Sequence, residues 1–398
     1  MKRTRYDVCA PVVSDLPFDA RVWKEARSLA AHGYRVSVLG SRFDLPSLTR
    51  RREGAIDVVE IPFGFRNAKK SPLRRGLTVT RLWLEILRTP ARIYHAHDVH
   101  VGPPAWAASR IRRAVLVYDG HEIHWRRNEG RGGRARLLAL ICTAIERFMV
   151  RHSDGVITTN ESRAAVLRER YRISEVHVLA NVPPRVDTVV PLDPGYPAGK
   201  PILLYQGWLS PGRGFRETIK AIALVDGIHF VVLGFGYETT RNQIREWAVE
   251  EGVAERVHFL PPRPFDELVR TAAAATIGLV PIKGIDLNTY LGDTNKLHEY
   301  LMAGLPVVAS DLPEIRRVAT EGDPPVGELF DPGSPTSIAS AIRRVLDDPE
   351  AYEARRREAR RLALARFNWQ VEEERLLSLY AEVAPGVSQT PAFEGAST

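Results

Sequence analysis

Short apolar runs rich in β-branched residues alternate along this chain with longer stretches in which apolar residues return at helical spacing. In the first half, residues 6–13, 35–40, 56–61, 93–97, 115–119 and 155–159 read as strands. Amphipathic helices lie between several of them, notably 21–32, which stops at Gly33. A proline-rich stretch, 181–200, suits a linker. The alternation then restarts, with strands at 202–207, 229–234, 257–260, 277–281 and 306–310 and helices near 215–225, 239–251, 267–275 and 296–303. Strand and helix in this rhythm build a parallel doubly wound sheet, and the restart predicts two Rossmann-like α/β domains. Residues 335–346, 349–367 and 370–384 are helical and charged. The domains are expected at 1–190 and 191–369, with a helix at about 370–385 and a disordered tail at 386–398.

A chain of 398 residues, 44% of them hydrophobic, has material for two such cores. Its two cysteines, Cys9 and Cys142, lie in apolar runs, which excludes a disulfide framework and points to a reducing compartment. The basic start from Met1 to Arg5 mimics a signal peptide, but Asp7 interrupts the apolar run and no small-residue cleavage site follows. The longest helical apolar stretch, 137–150, contains Glu146 and Arg147 and falls short of the roughly 20 residues a bilayer requires. A cytoplasmic protein is expected, with at most peripheral contact at the inner face of the cell membrane.

The net charge of +8 is unevenly spread. Residues 1–190 carry 34 Lys and Arg against 19 Asp and Glu, whereas residues 191–398 carry 22 against 29. The basic half is expected to meet something anionic, and nucleic acid, acidic lipid and a phosphorylated acceptor molecule all fit. Within it, Val79, Leu82, Trp83, Ile86 and Leu87 form a helical stripe flanked by Lys69, Lys70, Arg74, Arg75, Arg81 and Arg88. Ordinary packing explains the stripe, and its basic end is compatible with an acidic membrane surface.

In doubly wound folds, ligands bind beyond the carboxyl ends of the strands. The segment 294–310 reads Thr-Asn-Lys-Leu-His-Glu-Tyr-Leu-Met-Ala-Gly-Leu-Pro-Val-Val-Ala-Ser. A helix starting near Asp293 or Thr294 would carry Lys296 and Glu299 on one face, end at Gly304 and pass into a buried strand. Its N-terminus offers free N–H groups to an anion. A lysine in that first turn opposes the helix dipole, which an arriving diphosphate would offset; by itself the pair also reads as a surface ion pair. The segment 205–214, Tyr-Gln-Gly-Trp-Leu-Ser-Pro-Gly-Arg-Gly, is a strand followed by a glycine-rich turn. Glycine permits close backbone approach, and Arg213 offers a fork of donors suited to diphosphate, although an ordinary loop arginine needs no ligand.

Two further motifs directly follow strands: 94–100, Tyr-His-Ala-His-Asp-Val-His, and 118–124, Tyr-Asp-Gly-His-Glu-Ile-His. Five histidines and three carboxylates could hold a metal. The order His-x-His-Asp-x-His is not the metallohydrolase order His-x-His-x-Asp-His, however, and strand-end histidines also hydrogen-bond a sheet edge. Gly234-Phe235-Gly236 lacks the third glycine of a dinucleotide fingerprint and reads as a close turn. In 17–26, Phe18 and Trp23 read as packing residues.

The segment 294–314 resembles the donor-binding signature of the family 4 retaining glycosyltransferases, in the subgroup with Asn-Lys-Leu-x-Glu-Tyr before Ala-Gly-x-Pro-Val-Val-Ala-Ser. The segment 205–214 is similar to the family's Gly-Arg-Leu-x3-Lys-Gly, with Trp208 at the arginine position and Arg213 at the lysine position. Tyr-Asp-x-His-Glu at 118–122 resembles its strand-end histidine motif, and Asp-x-Arg-Val-x-Lys-Glu-Ala at 19–26 the subgroup's first loop. The resemblance runs from Asp19 to the terminal helix. It implies the GT-B fold: two Rossmann-like domains facing across a cleft, nucleotide-sugar on the second, acceptor on the first, and the terminal helix crossing back to the first.

By the same resemblance, sugar moves from a nucleotide-diphosphate donor to a hydroxyl acceptor with retention, without metal or other cofactor. The acceptor is expected to be a glycan, a lipid-linked molecule or a small molecule, and no nucleic acid partner is expected. His121, Arg213 and Lys296 are the implied catalytic residues. Donor contacts fall to Gly207, Trp208, Arg213, Asp293, Thr294, Asn295, Lys296 and Glu299, the last holding the ribose, while His97, Asp98 and Glu122 lie on the acceptor side. The family's Glu-x7-Glu pattern places its first glutamate at 291, where this chain has Leu291. Either backbone amides from Gly292 to Thr294 take over, or the donor sugar differs. Two alternatives stand beside this reading. A GT-B sugar-nucleotide epimerase would make Asp98, Glu122 and the histidines its chemical centre, and a basic nucleic-acid-binding protein follows from charge alone but lacks an aromatic-plus-basic binding module. Base, sugar and acceptor are not specified by these motifs.

Overall fold

The computed structural model describes residues 5–42, 45–62, 72–125 and 132–387. The chain forms two compact units, one from the residues up to Ala180 together with those from Glu372 onward, the other from Asn181 to Val371. The proline-rich stretch that follows Asn181 therefore belongs to the second unit, and it carries no helix or strand.

The first unit runs β1 (Tyr6–Asp15), α1 (Ala20–Ala31), β2 (Val36–Arg42), β3 (Thr49–Glu53), β4 (Ile56–Pro62), α2 (Pro72–Arg88), β5 (Ala91–His97), α3 (Gly102–Arg112), β6 (Val115–Gly120), α4 (Gly133–His152), β7 (Gly155–Thr158), α5 (Glu161–Tyr171) and β8 (His177–Val178). Its sheet order is β3-β4-β2-β1-β5-β6-β7-β8, parallel apart from the β3–β4 pair. The inner strands are covered on both faces and so read as continuous apolar runs. β3, Thr-Arg-Arg-Arg-Glu, escapes that pattern. It is an exposed edge strand whose arginines find carboxylates instead of a core, Arg50 pairing with Glu85 at 2.5 Å. α1 begins at Asp19, whose carboxylate accepts from the Val22 N–H, and it buries Val22, Ala26 and Leu29. Trp23 is buried and donates its indole N–H to the Leu16 carbonyl, whereas Phe18 is half-exposed.

The second unit runs β9 (Ile202–Gln206), α6 (Phe215–Leu224), β10 (His229–Leu233), α7 (Glu238–Glu250), β11 (Val257–Leu260), α8 (Phe265–Ala272), β12 (Ile277–Val280), α9 (Leu287–Tyr290), α10 (Asn295–Met302), β13 (Val307–Ser310), α11 (Pro313–Ala319), β14 (Gly327–Phe330), α12 (Pro335–Leu346) and α13 (Pro349–Ala365). All six strands are parallel, in the order β11-β10-β9-β12-β13-β14. Each sheet reverses its strand order at the first strand of its unit, β1 or β9. These are the switch points where a doubly wound sheet opens a crevice for ligands.

α14 (Trp369–Val383) starts in the second unit and finishes in the first. There Tyr380 meets His95 at 2.8 Å, and the Ala180 N–H donates to Glu372 at 2.9 Å. In α2 the expected stripe turns Leu82 and Ile86 inward, whereas Trp83 is exposed and donates to the His100 carbonyl. Lys69 and Lys70 lie outside the described residues, as does the tail from 388. No helix among the described residues is long and apolar enough to cross a membrane.

Candidate functional site

In the second unit, strand ends and one helix N-terminus converge. β9 ends at Gln206 and the chain turns at Gly207, whose φ of 127° suits glycine. A Cβ there would stand 3.6 Å from Lys296 Nζ, so the bare glycine backbone and the lysine head are neighbours. The turn is held close to the one after β10. A Cβ on Gly234, at φ 150°, would lie 2.1 Å from the Gly207 carbonyl oxygen, and one on Gly236 2.2 Å from that of Leu209. Gly234-Phe235-Gly236 is thus the close turn its spacing implied. Gly234→Ala is expected to destabilise the protein by about 2–3 kcal/mol through strain and overpacking. A thermal melt would measure this.

α10 begins after Thr294, whose side chain makes no cap and whose buried hydroxyl has no partner. Asp293 instead receives His298 at 2.9 Å. Lys296, one residue into the first turn, is buried with its ammonium 5.0 Å from the centre of the Tyr205 ring. Burial first, and Arg213 second, press its pKa down to about 7 against the opposing pull of Glu299. Lys296 and Glu299 are not the surface ion pair that spacing allowed: the lysine is inside, and the Glu299 carboxylate accepts from the Gln206 amide. Gln206 escaped the motif reading, although its place at the last position of β9 was the available signal. Trp208 is exposed and meets Phe235 and Tyr237 edge-on, with ring centres 5.0 and 5.7 Å away. Leu291 caps the short helix α9, and the chain passes from it through Gly292 to the start of α10.

In the first unit, the two histidine motifs end adjacent strands, β5 and β6. Arg21 reaches from α1 and donates from Nε and Nη2 to both oxygens of Asp119, at 2.8 and 3.0 Å, and from Nη1 to the Leu179 carbonyl. The same Nε lies 3.0 Å from Glu25. Burial opposes every charge here. For Asp119, Arg21 and His121 outweigh it and hold the carboxyl well below the usual range, whereas for Glu25 burial wins and the pKa rises. Burial likewise lowers His95.

His121 is one-fifth exposed, with Nε2 3.0 Å from Asp119 and Nδ1 3.5 Å from Asp98. The two carboxylates overcome desolvation and raise its pKa to about 9. The ring is therefore an imidazolium with a carboxylate near each nitrogen. Asp98, at φ 66°, also accepts from the His121 N–H. His97 is not on the accessible side. It is buried, stacked on His95 at 4.4 Å, and reaches outward only through His121 at 3.3 Å. Glu122, next to His121 in the chain, is half-buried. Motif reading gave Arg21 and Glu25 no role, because a charged residue on the face of an amphipathic helix ordinarily signals solvent, and it counted Asp119 only among carboxylates that could hold a metal.

Glu25, His95, His97 and Asp119 bring ligand-type atoms within 4.8 Å of one another, and the Nε2 atoms of both histidines lack hydrogen-bond partners. Arg21 already supplies the cation that such a set would attract, and it occupies both oxygens of Asp119.

Both units match models of known families: residues 19–182 that of the glycosyl transferase 4-like domain, and residues 200–348 that of the group 1 glycosyl transferases. The D-inositol 3-phosphate glycosyltransferase of Acidothermus cellulolyticus is 28% identical over 394 residues, covering 90% of this chain and 83% of that protein. Glycogen synthase of Mycobacterium tuberculosis is 26% identical over 326 residues, covering 80% and 75%. Among solved structures, sucrose-phosphate synthase from Thermosynechococcus elongatus superposes with a TM-score of 0.78 at 18% identity, over 95% of this chain and 99% of that one. The Anabaena protein HepE, solved with UDP and glucose, does so with 0.67 at 17% identity, over 95% and 100%. Paired doubly wound units of this kind, with these family matches, define a glycosyltransferase of the GT-B fold. The chain belongs to family 4 of the glycosyltransferases.

Proposed function

We propose that this enzyme moves a sugar from a nucleoside-diphosphate donor, bound by the second unit, to a hydroxyl of a glycan, lipid-linked or small-molecule acceptor, in the cytoplasm and with retention of configuration. One observation carries the reading. Lys296 is buried, makes no salt bridge among the described residues, and is set at a helix N-terminus beside the bare backbone of Gly207. Burying such a charge is unfavourable unless a ligand supplies the countercharge, and a diphosphate does. Arg213 adds a second cation from the glycine-rich turn, and the amides at the start of α10 add dipoles.

Charge that builds on the leaving diphosphate in the transition state is stabilised by these groups. The leaving diphosphate takes the acceptor's hydroxyl proton, so no metal is required. Glu299, oriented by Gln206, receives the ribose hydroxyls. With Leu291 in place of a glutamate, either the amides from Gly292 to Thr294 face the sugar or the donor sugar differs from the family's usual one.

A thermal-shift series across uridine, guanosine and adenosine diphosphates tests the site: one of them should raise the melting midpoint, and no response to any would sink the proposal. Glu299→Gln should weaken that nucleotide about tenfold, as expected for a lost charged hydrogen bond, while leaving the response to pyrophosphate, which has no ribose, unchanged.

A further inference from the structure

The first unit carries a surface outside the residues assigned to donor and acceptor. α4 turns Cys142, Glu146 and Met149 inward, and the Glu146 carboxyl is held there by the Tyr171 hydroxyl and the His124 N–H. Its N-terminal half instead shows Leu137, Leu138, Leu140 and Ile141 to solvent, 59%, 58%, 60% and 48% exposed. Single exposed aliphatics are ordinary; four within five positions of one helix form a patch that a soluble surface normally avoids.

Leu140 also lines a groove of about 460 Å³ whose walls include Arg147 and Arg151 of α4 and Arg170 and Arg172 at the end of α5. Among the described residues none of these four arginines is ion-paired. Arg151 donates to the Tyr171 carbonyl, and Arg170 lies over the Trp125 ring at 4.0 Å. An apolar stripe and a set of arginines that make no salt bridge thus meet at one residue.

We propose that this face of α4 docks on an acidic lipid bilayer, the aliphatic side chains entering the acyl boundary and the arginines taking headgroup phosphates. Hydrocarbon beside anionic oxygen is the order of chemistry found at such a surface. A second copy of the chain fits less well, since a two-fold contact through the stripe would set arginine groove near arginine groove. Nucleic acid would neutralise the arginines and leave the stripe wet. The proposal does not rest on the donor site: membrane docking and nucleotide binding are read separately and either can fail alone.

The test is flotation of the full chain with vesicles of phosphatidylcholine alone and with vesicles in which a third of the lipid is phosphatidylglycerol. Binding is expected to the acidic vesicles only, weakening as salt rises. The variant Leu137→Ser/Leu140→Ser/Ile141→Ser and, independently, Arg147→Glu/Arg151→Glu should each lower the partition coefficient roughly tenfold or more. Melting midpoint and nucleotide response should stay at wild-type values. A wild-type chain that ignores acidic vesicles, or vesicle binding that both variants retain, overturns the proposal. So does a light-scattering mass showing a dimer that the serine variant dissociates, and so does stabilisation by inorganic phosphate with no vesicle binding.

Discussion

Lys296→Ala is expected to weaken nucleoside diphosphate binding roughly 10–150-fold, the loss of one or two charge-assisted contacts. The more telling result is in the pH dependence. In the free enzyme the lysine titrates at about 7, because burial and Arg213 disfavour its charge. A bound diphosphate reverses that preference. Above pH 7 the ligand must therefore bring a proton with it, and affinity should fall by up to tenfold for each pH unit until the lysine's raised pKa in the complex is passed. Below pH 7 the lysine is already charged and the dependence flattens.

Isothermal titration in buffers of different ionisation enthalpy would count the proton. Uptake approaching one at pH 8, absent at pH 6 and absent in Lys296→Ala, is expected. A wild-type affinity that is level across this range would show that Lys296 does not face the phosphates. The same shift fixes the sign of a stability effect. Unfolded, the lysine keeps its proton to its ordinary value near 10.5, so the unfolded state binds more protons between about 7 and 10.5. Stability of the ligand-free enzyme gains from rising pH through that window, and the burden is fully present below it. Lys296→Met should then raise the melting midpoint at pH 6 while abolishing nucleotide binding. That combination separates a functional charge from a structural one.

Arg21→Met is expected to cost about 3–5 kcal/mol, lowering the melting midpoint by roughly 6–20 °C. The guanidinium holds both oxygens of Asp119 and the Leu179 carbonyl, all out of water. Its removal leaves a buried carboxylate with only His121 and the histidine-rich surroundings for compensation. Because the folded pKa of Asp119 is depressed, the pair's contribution is present above the ordinary aspartate range and is lost as pH falls through the depressed folded value. The difference between wild type and Arg21→Met should accordingly be large at pH 7 and shrink in strong acid. Replacing both partners, Arg21→Met with Asp119→Leu, should recover much of the loss, since two apolar groups leave no orphaned charge. A single variant as mild as a surface substitution would mean the network is not what holds α1 against β6.

Much of this molecule could be read from its alternation of apolar runs. Strands such as β5, β9 and β13 are enclosed on both faces, so burial writes itself as continuous hydrophobic sequence. β3 was unreadable because an edge strand of three arginines obtains its stability from Glu60 and Glu85, which lie elsewhere in the chain. The segment 294–304 was legible for a similar local reason: a helix start, a lysine in the wrong place for the dipole and a glycine end all fall within eleven residues. Its second half was not, since the Gln206–Glu299 contact spans 93 positions. Nor could sequence show that Lys296 lies inside. In the first unit the groups that fix the charge of the histidines are Asp119, near the end of β6, and Arg21 and Glu25, drawn from a helix that looks amphipathic until its charged face proves to be covered.

One consequence follows from α14. The ribosome releases the first unit's sheet early, yet that sheet lacks the helix whose Leu379 and Val383 cover Gly155 and whose Tyr380 binds His95. The second unit is contiguous and has all its strands before α14 emerges. During synthesis the half made first is therefore completed last. A chain ending before Glu372 would hold a complete second unit and an incomplete first one, with His95 and its neighbours still open to water.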